Sequence, residues 1–148
     1  MHRKDFIKSC GFACLGSAAI GTILQGCTSS KIIGGNISGD ELIIPVSDFE
    51  TSAGNEKHFK KYIVLQNEIL QYPICVYRHN ENEYSALWMR CTHQGAELQV
   101  FGDKLQCPAH GSEFGNKGDV QNGPAENKLR TFPVTIVQNQ LKISLKAI

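Results

Sequence analysis

Two short segments of the sequence each combine one cysteine with one histidine. The first is Cys91-x-His93, and the second, after 13 intervening residues, is Cys107-x-x-His110. Thiolate sulfur suits a metal that needs electron-rich ligands, whereas neutral imidazole can hold a second metal in less negative surroundings. The four side chains therefore predict a metal centre that is built from two loops.

The mixture of ligand types leaves two kinds of metal centre open. Two cysteines and two histidines can form a tetrahedral zinc shell, which would make the chain a zinc-stabilised binding lipoprotein. Zinc-finger spacing usually keeps the two cysteines together and the two histidines together, whereas each segment here contains one of each. The spacing thus favours an iron–sulfur centre and keeps zinc as the alternative.

The residues around these ligands resemble the Rieske iron–sulfur proteins, from about Glu41 to Ile148. After His110 the chain reads Gly-Ser-Glu-Phe, followed by Gly-Pro-Ala at 123–125 and Phe-Pro-Val at 132–134. The resemblance implies one Rieske-type [2Fe–2S] cluster per chain, with two cysteines on one iron and two histidines on the other. The implied ligands are Cys91, His93, Cys107 and His110.

Four further residues are expected to support the cluster loops. Gly95 and Gly111 stand where the backbone must approach closely or take a positive φ. Pro108 should restrict its turn, and Pro124 should stiffen a loop that covers the cluster. Neither proline is expected to take part in chemistry, whereas backbone N–H groups in the glycine-containing loops can point at cluster sulfides and help to set the potential.

Some positions differ from those of the quinol-oxidising Rieske proteins. Ala96 and Ala109 occupy the places of two cysteines that form a disulfide in those relatives. Ser112 matches a serine that donates to cluster sulfur, but Phe114 replaces a tyrosine that donates to a ligand cysteine. Gln94 replaces an apolar residue at the docking tip. We therefore expect a moderate reduction potential, below the upper end of the family span of roughly −150 to +300 mV.

The first 26 residues have the layout of an export signal. Arg3, Lys4 and Lys8 precede an apolar run, and the start resembles a twin-arginine signal in which lysine replaces the second arginine. The sequence Leu-Gln-Gly-Cys, which ends at Cys27, resembles a lipoprotein processing site. We expect Cys27 to carry lipid and residues 27–40 to form a flexible tether, with an uncleaved anchor helix as the alternative.

Residues 41–148 are expected to form one all-β domain of small antiparallel sheets. Short apolar segments separated by turn residues predict strands at 42–46, 61–66, 74–78, 84–89, 98–101, 104–107, 134–138 and 141–145. The resemblance adds an inserted cluster-binding subdomain at about 90–125. Cys75, Leu87 and Trp88 are expected in the core, and His58 and His79 at the surface.

The function that follows is electron transfer outside the cytoplasm. The formal net charge is +1, and no basic block indicates nucleic-acid binding. No site for transforming a substrate independently is expected. The partner would be a redox protein such as a c-type cytochrome. The alternative is a Rieske subunit of a larger exported oxidoreductase, of the arsenite-oxidase or quinol–cytochrome c reductase type. In either case the protein is expected on a membrane surface that faces the periplasm or the outside.

Overall fold

The computed structural model describes residues 32–53 and 56–146, and short strands dominate this part of the chain. In chain order the strands are β1 Ile32–Ile33, β2 Asn36–Ser38, β3 Glu41–Pro45, β4 Glu50–Ala53, β5 Glu56–Phe59, β6 Tyr62–Leu65, β7 Ile74–Arg78, β8 Tyr84–Trp88, β9 Gln99–Phe101, β10 Lys104–Gln106, β11 Glu113–Gly115, β12 Val120–Asn122, β13 Thr131–Phe132, β14 Val134–Val137 and β15 Gln140–Ser144. One 3-10 helix, Val46–Phe49, is the only helix within the described ranges. The predicted all-β class is confirmed.

Two sheets form the base of the domain. One contains five strands in the order β1-β6-β7-β8-β13, and the other contains four in the order β14-β15-β3-β2. Their facing side chains share one core, to which β3 contributes Leu42 and Ile44 and β15 contributes Leu141 and Ile143. These strands alternate buried and partly exposed residues, as expected for a sheet with one face covered.

A third sheet, in the order β12-β11-β10-β9, lies between β8 and β13 in the sequence. It spans residues 99–122, inside the range predicted for the inserted subdomain. Leu105 and Phe114 of this sheet pack in a second core with Cys75 and Tyr77 of β7. The inserted sheet therefore packs against the base through the face of β7 that points away from the first core.

Strand β7 is buried on both faces, which explains its continuous apolar sequence. Ile74 and Val76 contact the first core, whereas Cys75 and Tyr77 contact the second. Side chains alternate between the two faces of a strand, so one strand joins both cores. The expectation that Cys75 is a small buried core residue is confirmed, since it has 0% exposure.

All eight predicted strands occur, with ends within one residue, but the predicted tether was too long. Ile32–Ile33 pairs in parallel with β6, and Asn36–Ser38 pairs antiparallel with β3. Ile33 and Ile37 also pack against the first core. These strands have two or three residues each, too few to show a period in the sequence. Residues 27–31, which include the predicted lipidation site Cys27, and the predicted signal lie outside the described residues.

Within the described ranges, no helix has both the length and the apolar character needed to cross a membrane.

Burial of Cys75 predicts a loss of stability at alkaline pH. Desolvation raises the pKa of its thiol above the ordinary value of 9.0. The folded protein therefore keeps the proton where the unfolded chain releases it, so stability present below about pH 9 falls as the pH rises. Cys75→Ala should make the unfolding free energy fall less steeply between about pH 8 and about pH 10.5. Denaturant titrations across this range measure the slope.

Val76→Ala is the matched control, because Val76 is equally buried on the opposite face of the same strand. It should lower stability at every pH and leave the slope unchanged. If the unfolding free energy falls equally steeply with alkaline pH in the wild type and in Cys75→Ala, the buried thiol of Cys75 is not the cause of the loss of stability.

Candidate metal centre

The first ligand segment forms a loop directly after β8. The Cys91 N–H donates to the Ala96 carbonyl at 2.8 Å, and the Gly95 N–H donates to the Cys91 carbonyl at 2.8 Å. Gly95 has φ +76°, a conformation that glycine adopts without a steric penalty. The predicted need for a positive φ at this glycine is confirmed.

The second segment forms a loop with the same hydrogen-bond pattern after β10. The Cys107 N–H donates to the Ser112 carbonyl at 2.8 Å, and the Gly111 N–H donates to the Cys107 carbonyl at 2.9 Å. Gly111 has φ +78°. Both loops therefore hold a cysteine at the start of a closed turn and leave the following residues free to project from it. Pro108 is exposed within this turn.

The two loops bring side chains of like type together. Cys91 and Cys107 are each 2% exposed and belong to the second core. His93 and His110 are exposed, with ring centroids 5.1 Å apart and ring planes at 85°. The site therefore has a buried sulfur side and a solvent-facing nitrogen side, and each loop contributes one residue to each side.

The surroundings of Cys107 favour its thiolate. Burial opposes ionisation of the Cys107 thiol. The backbone N–H groups of His110 and Ala109 and the Cys91 side chain stabilise its anion, and the pKa of the thiol lies below its ordinary value as a result. The thiolate is the form of cysteine that binds metals. The loop backbone thus favours the anionic form of this cysteine.

The arrangement of donors fits a binuclear iron–sulfur group. The donors form one sulfur pair and one nitrogen pair, which suits two irons with different ligand types. The backbone turns that carry the donors are already closed by hydrogen bonds.

Ser112 connects the second loop to the proline-containing segment. It is the one buried polar residue in the described ranges, and its Oγ accepts the Ala125 N–H at 3.0 Å. A hydroxyl that accepts one bond still has its own proton to donate. Pro124, which precedes Ala125, is exposed and follows a cis peptide bond. Ser112 therefore holds this segment beside the loop and keeps a donor available.

Phe114 lies beneath the site rather than at its surface. It is fully buried, pairs with Leu105 across β10 and β11, and belongs to the core that contains both loop cysteines. Its ring supports the sulfur side by packing, and it carries no hydrogen-bond donor for the metal centre.

Two hydrogen bonds hold the first loop through residues that belong to no recognisable sequence motif. The Tyr72 Oη donates to the Gly95 carbonyl at 2.7 Å, and the Thr92 Oγ1 donates to the Asn127 carbonyl at 2.6 Å. Each pair is at least 23 residues apart in the sequence, so spacing could not reveal it. Because Ala96 and Ala109 stand in place of cysteines, no disulfide can join the two loops at these positions. The two hydrogen bonds restrain the first loop instead.

Trp88 was predicted in the core but is only half-buried. Its ring stands edge-on to Tyr72, with centroids 5.3 Å apart. The guanidinium groups of Arg90 and Arg130 lie 5.5 and 5.6 Å from its centroid. Its apolar surface is thus covered partly by cations, which sequence patterning does not anticipate. Leu87, in contrast, is fully buried as predicted.

Tyr72→Phe tests whether the bond to Gly95 restrains the first loop. The variant keeps the ring but leaves the Gly95 carbonyl without its donor, which should destabilise the loaded loop by about 0.5–1.5 kcal/mol. Metal release from the loaded protein to a coloured chelator should be faster by up to about tenfold. Tyr62→Phe removes a hydroxyl from β6 and should not change the rate. Equal rates for the two variants would exclude this restraint.

Comparison with known proteins identifies the family. Residues 50–133, more than half of the chain, match the family model described as Rieske [2Fe-2S] domain. A stretch of 56 residues is 39% identical to cytochrome b6-f complex iron-sulfur subunit 1 of Synechocystis, covering 36% of this chain and 32% of that protein. Another of 80 residues is 34% identical to the oxygenase component of dicamba O-demethylase from Stenotrophomonas maltophilia, covering 47% and 24%. The chain thus spans a third or less of these relatives.

Solved structures agree with the family match. The crystal structure of the cyanobacterial plasma membrane Rieske protein from Synechocystis aligns with a TM-score of 0.50 and 28% identity, covering 57% of this chain and 86% of that one. A chain from the complex of reduced oxygenase and oxidized ferredoxin in carbazole 1,9a-dioxygenase aligns with a TM-score of 0.54 and 21% identity, covering 74% and 96%, and shows the fold alone. These findings overturn the zinc alternative: the chain belongs to the Rieske [2Fe–2S] family, and its cofactor is a Rieske-type [2Fe–2S] cluster.

Proposed function

We propose that this protein carries single electrons between protein partners outside the cytoplasm, while a lipid on Cys27 holds it at a membrane. The observation that carries the proposal is the pair of exposed imidazoles above two buried thiols. Cys91 and Cys107 would hold one iron, and His93 and His110 the other. A Rieske cluster supplies a one-electron redox couple when it is bound.

In such a carrier the cysteines, the histidines and Gln94 would have different roles. The buried cysteines keep their sulfur atoms away from water, and the histidine rings reach the surface where a partner can approach. Gln94 is exposed between His93 and Gly95 and gives the tip a polar face. A polar tip favours contact with a soluble or membrane-bound redox protein over insertion into an apolar quinol pocket.

The start of the domain supports a position close to the membrane. β1 begins at Ile32, so five residue steps separate it from Cys27. A fully extended chain covers at most about 3.6 Å per residue, which limits this span to about 18 Å. A lipidated Cys27 would therefore keep the redox domain within a short distance of the bilayer, and the partner would be met there.

The similarity to a cytochrome b6-f iron–sulfur subunit favours a second candidate function. In that case the chain would be the Rieske electron-transfer subunit of a larger exported oxidoreductase. Purification of the full-length chain from native membranes distinguishes the two. A free lipoprotein that reduces or is reduced by c-type cytochromes supports the carrier, whereas a stable stoichiometric complex supports the subunit.

Membrane attachment is tested by Cys27→Ser. The variant should move the protein from the membrane fraction to the soluble fraction after export, and mass spectrometry of the wild type should find acyl groups on Cys27. Cys14→Ser, a cysteine within the predicted signal, is the matched control and should leave the protein in the membrane. A Cys27→Ser protein that stays in the membrane fraction contradicts the lipid anchor and leaves the redox proposal standing.

The reduction potential is expected to respond to single hydroxyl groups near the cluster. Phe114→Tyr should raise it and Ser112→Ala should lower it, because a donor to sulfur stabilises the more negative reduced state. A hydrogen bond of about 1 kcal/mol corresponds to about 40 mV for one electron, so each shift should be on the order of tens of millivolts. Redox titration followed by electron paramagnetic resonance measures the shifts.

Phe49→Tyr is the control for the added hydroxyl, since Phe49 is equally buried in the other core. It should leave the potential unchanged. If the reduction potential is unchanged in both Phe114→Tyr and Ser112→Ala, the hydrogen-bond explanation is refuted. The expected moderate potential of the wild type is a separate prediction, which a value near +300 mV would refute.

A further inference from the structure

A cavity of about 410 Å³ lies where the inserted sheet meets the base. One wall comes from the chain around the start of β6, at Lys60 and Lys61, and another from the end of β7, at Arg78 and His79. The inserted sheet contributes Asp103, in the turn between β9 and β10. The cavity is separate from the ligand loops, none of whose residues lines it.

The cavity has an excess of positive charge. Lys60, Lys61 and Arg78 line it, and Asp103 is the one carboxylate among the described residues that do so. A concave surface lined by one sign of charge concentrates the electrostatic field and attracts ions of the opposite sign. The charges thus favour a negatively charged occupant.

Arg78 lines this cavity and also a neighbouring one that contains Glu50 and Glu81. Its guanidinium carbon lies 4.2 Å from the centroid of the Phe59 ring, so the planar group is held by stacking. Within the described ranges it forms no ion pair with a carboxylate, and its buried Nε has no hydrogen-bond partner. A half-buried guanidinium without a counterion is energetically unfavourable unless something supplies the missing charge.

Hydrogen bonds fix the wall that carries His79. Ser85 Oγ donates its proton to the Asn116 carbonyl. His79 Nε2 lies 2.9 Å from the same Oγ, so this nitrogen must be the donor in that contact. His79 and Asn116 both line the cavity, and they are thus connected across the junction between the two parts of the domain.

We propose that this cavity is a binding site for a small oxyanion, that is, a phosphate or a carboxylate group. The guanidinium of Arg78 would bind two oxygens of the ligand through its fork of N–H groups, and Lys60 and Lys61 would supply further positive charge. This site is distinct from the proposed electron-transfer site. It gives the protein a second place of recognition, for a small anion or for an acidic group on a larger molecule.

Calorimetric titration of the cluster-loaded, oxidised protein tests the site. Inorganic phosphate and succinate are the two probes, at low ionic strength kept constant with sodium chloride. We expect millimolar or tighter binding of at least one probe, a result that supports the proposal, and the stronger probe identifies the preferred oxyanion. Arg78→Gln should weaken that binding by about tenfold or more.

Two further variants separate binding from a general structural effect. Asp103→Asn removes the opposing carboxylate and should tighten binding several-fold, an improvement that damage to the fold would not produce. Arg130→Gln is the matched control, because Arg130 also stacks on a phenylalanine, at 4.7 Å from the Phe132 centroid, but does not line the cavity. Its affinity should equal that of the wild type. Lys61→Gln, at an exposed residue, replaces Arg78→Gln if the latter does not fold.

The proposal is overturned if neither probe binds more tightly than about 10 mM. It is also overturned if Arg130→Gln weakens binding as much as Arg78→Gln, or if Asp103→Asn has no effect. The visible spectrum of the cluster, recorded in each titration, shows independently whether the redox centre is intact.

Discussion

The ligand loops place two cysteine side chains in the second core and two imidazoles at the surface, and the packing of the base with the inserted sheet maintains this separation. The separation arises because each closed turn directs its cysteine into the second core and its histidine outwards. A buried thiolate is stabilised only when donors surround it. The N–H groups of His110 and Ala109, which help to lower the pKa of Cys107, are such donors.

The second core depends in turn on one strand of the base. Because β7 is buried on both faces, Cys75 and Tyr77 can pack beneath the inserted sheet while Ile74 and Val76 hold the two base sheets together. The two ligand loops are therefore fixed to the base through their cysteines, which pack in the second core with Cys75 and Tyr77. A change in the packing of β7 would therefore alter both the stability of the base and the positions of Cys91 and Cys107.

Hydrogen bonds take the place of a covalent link between the loops. Tyr72 holds the first loop at Gly95, Thr92 holds it to the proline-containing segment at Asn127, and Ser112 holds that same segment to the second loop. The proline-containing segment thus connects the two loops without a disulfide. Each bond contributes about 1 kcal/mol, so the loops are restrained by several weak contacts rather than by one strong one.

The sequence by itself predicted the cofactor, with zinc as the alternative, the ligand residues expected for it and the all-β class, because ligand type, loop glycines and alternating apolar residues are local properties. It also located eight of the fifteen strands in the described ranges. The seven that it missed have two to four residues each and include β1 and β2, whose pairing with β6 and β3 depends on distant residues. Only the tertiary structure decided that Tyr72 and Thr92 restrain the first loop and that Arg78 faces a cationic cavity. These contacts join residues far apart in the chain, and their geometry follows from how the two cores pack, which no local pattern encodes.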